Sequence, residues 1–164
     1  MRRLVALTAL GCALVVATPL AAGAAGRAAA SNPATDVCEA MVRNAVEASL
    51  GAPLPGAQHG AWVGRTFACT YPLTGGQLVL WVDDLGTKAK ARAAYRTLNR
   101  AVLRPTRLNG LGDRAYQAAD GTIVAAKDQF VLHVDPHGAP LGVVKSDLAF
   151  AAVVAVMSCW TGGT

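Results

Sequence analysis

The chain has 164 residues, 15 of them basic and 10 acidic, for a formal charge of +5 at pH 7. Three of the basic residues, Arg2, Arg3 and Arg27, fall in an N-terminal leader; without it about 134 residues remain, with twelve basic against ten acidic side chains, a net of +2. That length accommodates one domain with a single core and excludes two comfortable ones, and the high overall charge is in part the leader's. Usage is skewed to Ala, Gly, Val and Arg, with Ile123 the single isoleucine and only four lysines, so the hydrophobic fraction of 53% reflects a GC-rich composition more than a large core.

Met1-Arg2-Arg3 is a basic start, residues 4–22 are an apolar run, and Ala22-Gly23-Ala24 and Ala28-Ala29-Ala30 offer small-residue cleavage sites. This is the pattern of a secretory signal peptide over residues 1–30, with the mature chain starting between Ala25 and Ser31 and residues 31–164 forming one exported domain. An uncleaved anchor is the alternative, because the run approaches the roughly 18 residues that a membrane span needs. Cys12 lies inside the apolar run, after Ala9-Leu10-Gly11, and does not make a lipid attachment site. Export to an extracytoplasmic, cell-envelope location leaves Cys38, Cys69 and Cys159 where disulfides persist. Three cysteines permit three single bridges; the favoured one is Cys38 to Cys69, tying a helix start to a following strand, with Cys159 left as a buried free thiol and an intermolecular bridge as its alternative.

In chain order, Thr35 or Asp36 is placed to cap a helix reaching about Leu50, with Val37, Met41, Val42, Ala45, Val46 and Leu50 on one stripe and Gly51 as its stop. Pro53, Pro55, Gly56 and Gly60 mark a loop. Arg65 to Tyr71 alternates with Phe67, Cys69 and Tyr71 on one side, and after a Thr74-Gly75-Gly76 turn Gln77 to Asp83 returns with Leu78, Leu80 and Val82 on one face. Thr87 is a plausible N-cap for a helix through roughly Asn99 to Leu103, with Ala91, Ala94, Tyr95, Leu98 and Val102 inward. A meander follows: Arg114 to Ala118, a tight Asp120-Gly121 hairpin turn, Thr122 to Ala126, a Lys127-Asp128-Gln129 turn, and Phe130 to Val134. Ser146 is expected to cap a last helix from Asp147 to about Trp160, apolar on every side and ended by Gly162-Gly163. The order α-β-β-α-β-β-β-α predicts an α+β fold, a single antiparallel sheet of about five strands with helices packed on it.

Cys38 near the first helix, Cys69-Thr70-Tyr71 on a strand, Leu78-Val79-Leu80 on the next, and Gly110-Leu111-Gly112-Asp113-Arg114-Ala115-Tyr116 before a terminal helix resemble the small exported actinobacterial proteins and lipoproteins grouped as domains of unknown function. The resemblance spans nearly the whole mature chain. It implies an envelope location, an α+β sheet-and-helix fold and a disulfide between the first two cysteines, and it brings no catalytic residues. The chain departs from the lipoprotein members in lacking a lipid attachment motif, and from four-cysteine members in lacking a partner for Cys159.

Candidates for chemistry each have a plainer explanation. Gly110-Leu111-Gly112-Asp113-Arg114-Ala115 fits G-x-G-x-x-A, but a strand rather than a helix follows, so the glycines are read as turn formers and not as a dinucleotide cradle. His133, Asp135 and His137 have the i, i+2, i+4 spacing that would present two imidazoles and a carboxylate from one strand face, although Pro136 and Gly138 place His137 beyond the strand end. No metal and no other cofactor is predicted. The most unusual feature is charge segregation: Lys88, Lys90, Arg92, Arg96, Arg100, Arg104 and Arg107 follow one another with no acidic residue between them. Lys88, Arg92, Arg96 and Arg100 recur every fourth residue, a helical stripe able to meet an anionic envelope polymer, lipid headgroups or an acidic protein; a plain solvated face is the alternative. Export and the absence of interleaved aromatics disfavour nucleic acid. Two functions follow: a non-enzymatic exported binding or accessory module of the bacterial cell envelope, or a small secreted hydrolase or metal-dependent enzyme built on the His133 face.

Overall fold

A computed structural model describes residues 32–161; the expected signal peptide and the expected Gly162-Gly163 helix stop lie outside the described residues. The elements are a 3-10 helix (Pro33–Cys38), α1 (Ala40–Leu50), β1 (His59–Val63), β2 (Thr66–Leu73), β3 (Gly76–Asp84), α2 (Lys88–Ala101), β4 (Thr106–Leu108), β5 (Arg114–Gln117), β6 (Ile123–Lys127), β7 (Phe130–Asp135) and α3 (Lys145–Thr161). The fold is α+β with one antiparallel sheet, but the sheet has seven strands rather than about five, in the order β1-β2-β3-β7-β6-β5-β4. Both additional strands are edges. Every residue of β1 is exposed, and β4 has three residues behind Pro105, so neither carries the inward alternation that marks a strand in a sequence. Two meanders, β1-β2-β3 and β4-β5-β6-β7, join through their last strands, with Trp81 opposite His133 at the seam.

Alternation along the strands sends successive side chains to opposite faces, and the register aligns them across the sheet. The inner face carries Phe67, Cys69, Tyr71, Leu78, Leu80, Val82, Ile123, Ala125, Leu132 and Val134, all buried in the main core. The 3-10 helix covers β2 and β3, α3 covers β6 and β7, and α1 packs on α3 instead of on the sheet. Outer-face Tyr116, Val124, Ala126 and Val131 form a second core with Ala91 and Tyr95 of α2. The α2 cap is as expected, Thr87 Oγ1 accepting from the Lys90 amide at 3.3 Å.

At the N-terminus the expected helix is divided. Asn32, not Thr35 or Asp36, caps the first turn, its side-chain oxygen accepting from the Ala34 amide at 3.0 Å, and α1 starts only at Ala40. The cause is tertiary: Cys38 is bonded to Cys69, and the Tyr71 hydroxyl donates to the Val37 carbonyl at 2.6 Å. These two ties hold the segment against β2, and the helix resumes past them. With α1 seated on α3, Val42 and Val46 are buried while Met41 is 46% exposed, outside the expected stripe.

Two turn details also differ. Asp120-Gly121 is not a two-residue hairpin turn; the Gly121 amide donates to Ala118 O at 3.1 Å and the Ala118 amide to Thr122 O at 2.8 Å, a longer turn closed by Gly121 at φ 92°. In such a turn only the last residue takes positive φ, and Asp120 instead accepts from the Thr122 amide at 2.9 Å. Helix α3 starts at Lys145, with the Asp147 and Leu148 amides donating to Val144 O, so Ser146 lies inside it. It is largely buried between the sheet and α1, although Phe150 and Val154 remain exposed. Cys159 is free and only half-buried, contrary to full burial, because it sits near the helix end; burial, and then Asp36 and Glu39, push its thiol up, keeping it protonated.

Candidate functional site

The basic stripe is on α2 as expected, but its members part company. In an α-helix a four-residue step advances about 40° beyond a full turn, so a row at i, i+4, i+8, i+12 drifts from the packed edge to the solvent side. Lys88, at the inner end, is committed to Asp113 at 2.7 Å and to Asp128 at 3.4 Å. Burial pushes the Asp113 carboxyl up, yet the Lys88 hydrogen bond and charge outweigh it and hold it below the usual carboxylate range. Arg92, Arg96 and Arg100 are exposed, with no ion pair among the described residues.

Beside this helix flank lies a cleft of about 460 Å³ lined by Tyr95, Asn99, Pro105, Arg107, Asp113, Arg114 and Tyr116. The sheet register explains its composition. Arg114 and Tyr116 are two apart on β5 and project together on the outer face, and pairing of Arg107 with Tyr116 brings the β4 arginine beside them. Tyr95 and Asn99, four apart on α2, form the opposite wall. The Tyr95 and Tyr116 rings are tilted on each other with centroids 5.5 Å apart.

The electrostatics favour an anion. Burial pushes the Tyr95 phenol up, with Arg114 and Arg107, which line the same cleft, pulling the other way. Burial, then Tyr95 and Asp120, push Tyr116 up to about 12. Both phenols are therefore neutral hydrogen-bond donors at pH 7. Asp113, the single carboxylate of the lining, is already answered by Lys88, so Arg107 and Arg114 give the cleft its net charge. Guanidinium forks match carboxylate and phosphate oxygens. At the cleft's margin Arg104 has φ 52° immediately before Pro105, a conformation that costs on the order of 1–3 kcal/mol and persists where surrounding structure imposes it.

Arg107 belongs to the basic segment read from sequence. Helical periodicity marks Tyr95 as a core residue, and no sequence motif marks Asn99, Arg114 or Tyr116 as site residues. The Arg114-Ala115-Tyr116 alternation was a usable signal; without β4 there was nothing to join it to Arg107.

The His133, Asp135 and His137 set does not assemble. His133 stacks on Trp81, centroids 5.0 Å apart, and its Nε2 faces Asp83 Oδ2 at 3.5 Å without a hydrogen bond. The Asp83 carboxylate accepts from Thr66 Oγ1 at 2.5 Å. His137 lies past the strand end, held by Asp135 at 2.5 Å and Asp120 at 3.3 Å. Among the described residues no group of three or more His, Cys, Asp or Glu side chains is arranged to hold a metal ion.

The buried imidazole has a consequence for stability. Burial holds the His133 pKa below its usual 6.5, with Asp83 pulling the other way. Below that value the unfolded chain takes up a proton that the folded chain resists, so stability should fall as pH drops through about 6.5. Urea midpoints of wild type and His133→Gln at neutral pH and at about pH 5.5 measure this: the wild type should lose more on acidification than the variant. Equal losses would mean that other groups carry the dependence.

Comparison with protein-family models, curated proteins and solved structures finds no match to this chain.

Proposed function

We propose that this protein is a non-enzymatic, exported binding or accessory module of the cell envelope that seizes an anionic group of its partner in the cleft between α2 and β4–β5. The observation that carries the reading is a cleft whose lining brings Arg107 and Arg114 together with Tyr95 and Tyr116, with Arg92, Arg96 and Arg100 exposed on the adjoining helix. The Cys38–Cys69 disulfide is compatible with an extracytoplasmic site of action, and among the described residues no helix is long and apolar enough to cross a membrane. Export itself rests on the leader sequence.

A concave cleft with directional donors suits the repeating anionic group of a polymer better than a flat array of lipid headgroups. The exposed arginines would guide a long polyanion toward it. Calorimetric titration with a poly(glycerol phosphate) probe tests this, with anionic vesicles and an acidic protein as the competing partners. Binding at low salt should weaken steeply towards about 150 mM, where exposed charges are screened beyond about 8 Å. Arg107→Glu/Arg114→Glu should remove it. Arg92→Glu/Arg96→Glu/Arg100→Glu should weaken it while leaving the fold intact, because those side chains face away from the Ala91 and Tyr95 contact with the sheet. Equal binding by wild type and both variants, all folded, would reduce the arginines to a solvated surface; tighter binding to vesicles would shift the assignment to lipid.

A further inference from the structure

The two edges of the sheet are treated in opposite ways. An edge strand exposes unpaired N–H and C=O groups and invites another strand unless it is short, charged, bulged or covered. Edge strand β4 is guarded: it has three residues, follows Pro105, and carries Arg107. Edge strand β1, His59-Gly60-Ala61-Trp62-Val63, has five residues with no Lys, Arg, Asp, Glu or Pro, and all are exposed, Trp62 by 44% and Val63 by 75%. Its inner side is pinned by β2 across all five positions, so the strand is extended and rigid before any partner arrives.

The sequence of this strand complements itself. An antiparallel pairing of two copies about Ala61 sets His59 opposite Val63, Gly60 opposite Trp62, and Ala61 opposite its own counterpart. Trp62 lies on the inner face with its ring 5.2 Å from that of Phe67. Gly60 lies on the same face, and a Cβ there would fall 2.5 Å from Phe67 Cζ and 2.9 Å from Cys38 Sγ. The Phe67 ring therefore already reaches over Gly60, and a tryptophan placed opposite that glycine would extend the aromatic contact, the arrangement that covers strand glycines in paired sheets. No charge opposes the approach. On the outer face the central pair is Ala61 with Ala61, small enough to let the backbones meet.

We propose that β1 is a homodimer interface: two copies pair β1 to β1 antiparallel about Ala61, continuing the seven-stranded sheet across a two-fold axis and setting Trp62 of each copy opposite Gly60 of the other, beside the Phe67 ring that covers that glycine. The axis is perpendicular to the sheet, so the α2 clefts of both copies lie on one side of the joined sheet. A two-sited surface would hold a repeating partner more tightly than one cleft alone, although the dimer does not depend on what the cleft binds.

Sedimentation equilibrium of the purified, oxidised protein in the absence of any polyanion is the direct test. Wild type should sediment at twice the chain mass. Ala61→Lys puts like charges directly opposite each other and should raise the dimer dissociation constant about tenfold or more, while thermal melting at low protein concentration stays unchanged. Register is tested separately in a Cys159→Ser background: Ala61→Cys should cross-link with its own counterpart on mild oxidation, because directly opposed Cβ atoms lie roughly 5 Å apart, whereas Val63→Cys, opposite His59, should not. A wild type that stays monomeric, a dimer undisturbed by Ala61→Lys, or equal cross-linking at positions 61 and 63 would overturn the proposal.

Discussion

Replacing Cys38 and Cys69 together by serine should lower stability by about 3–4 kcal/mol, the loop-entropy value for a closure of this length, the bridge spanning a sequence separation of 31. For a domain of this size that corresponds to a fall of about 10–15 °C in Tm. The loss concentrates on one side of the fold. The bridge joins the end of the 3-10 helix to the middle of β2, beside Gly60 of β1. Without it, the helix is held to the sheet by the Tyr71 hydroxyl on Val37 O and by buried Ala34 and Val37. Those ties are non-covalent and are lost on unfolding, so the unfolded chain without the bridge regains the freedom of the intervening loop. Thermal melts of the double variant and of wild type under reducing conditions should agree; a variant melting with the oxidised wild type would mean that the bridge adds nothing the core does not already supply.

Gly112→Val should be comparably damaging, for a reason unconnected with loop entropy. Gly112 has φ 61°, and a Cβ at this position would fall 2.7 Å from the backbone oxygen of Ala126. Strain for a β-branched residue in that region is on the order of 1–3 kcal/mol. Displacing the neighbouring strand to admit the side chain adds about 1–3 kcal/mol. The position matters because the next residue fastens two elements: the Asp113 amide donates to Ala126 O at 2.8 Å, and its carboxylate takes Lys88 at 2.7 Å. Chemical denaturation should register the loss as a lowered midpoint with an unchanged slope. Gly112→Ala, sharing the strain but adding less bulk, should fall between. If Val and wild type unfold together, the close approach to Ala126 is not maintained in solution.

That glycine also illustrates how far local reading extends. Gly110-Leu111-Gly112-Asp113 was legible as a turn rather than a nucleotide cradle, because the alternating Arg114 to Gln117 run that follows it is a strand. Central strands were equally legible. In β2 and β3 one side of the alternation is fully buried, at Phe67, Cys69, Tyr71, Leu73 and Leu78, Leu80, Val82, and that burial is what writes the pattern. The Thr87 cap was legible because a capping side chain bonds an amide only three residues on. Edge strands β1 and β4 were not, since one is exposed throughout and the other too short to show a period.

By itself the sequence determined an α+β chain, an antiparallel sheet and a basic face on α2, because each rests on periodicity, capping or composition within a short window; the bridge between the first two cysteines followed from where those short-window elements place Cys38 and Cys69. Tertiary structure alone decided which of those charges remain available. Lys88 is taken by Asp113 and Asp128, carboxylates 25 and 40 positions along the chain. Arg107, Arg114, Tyr95 and Tyr116 meet only because β4 pairs with β5 and α2 crosses the outer face above them. His133 is sealed under Trp81 by the β3–β7 seam, although its strand position alone was compatible with a metal ligand. The physical reason is common to all three: a side chain's charge and hydrogen-bonding capacity are properties of residue type, but whether they are spent or free depends on neighbours that sheet order supplies from distant parts of the chain.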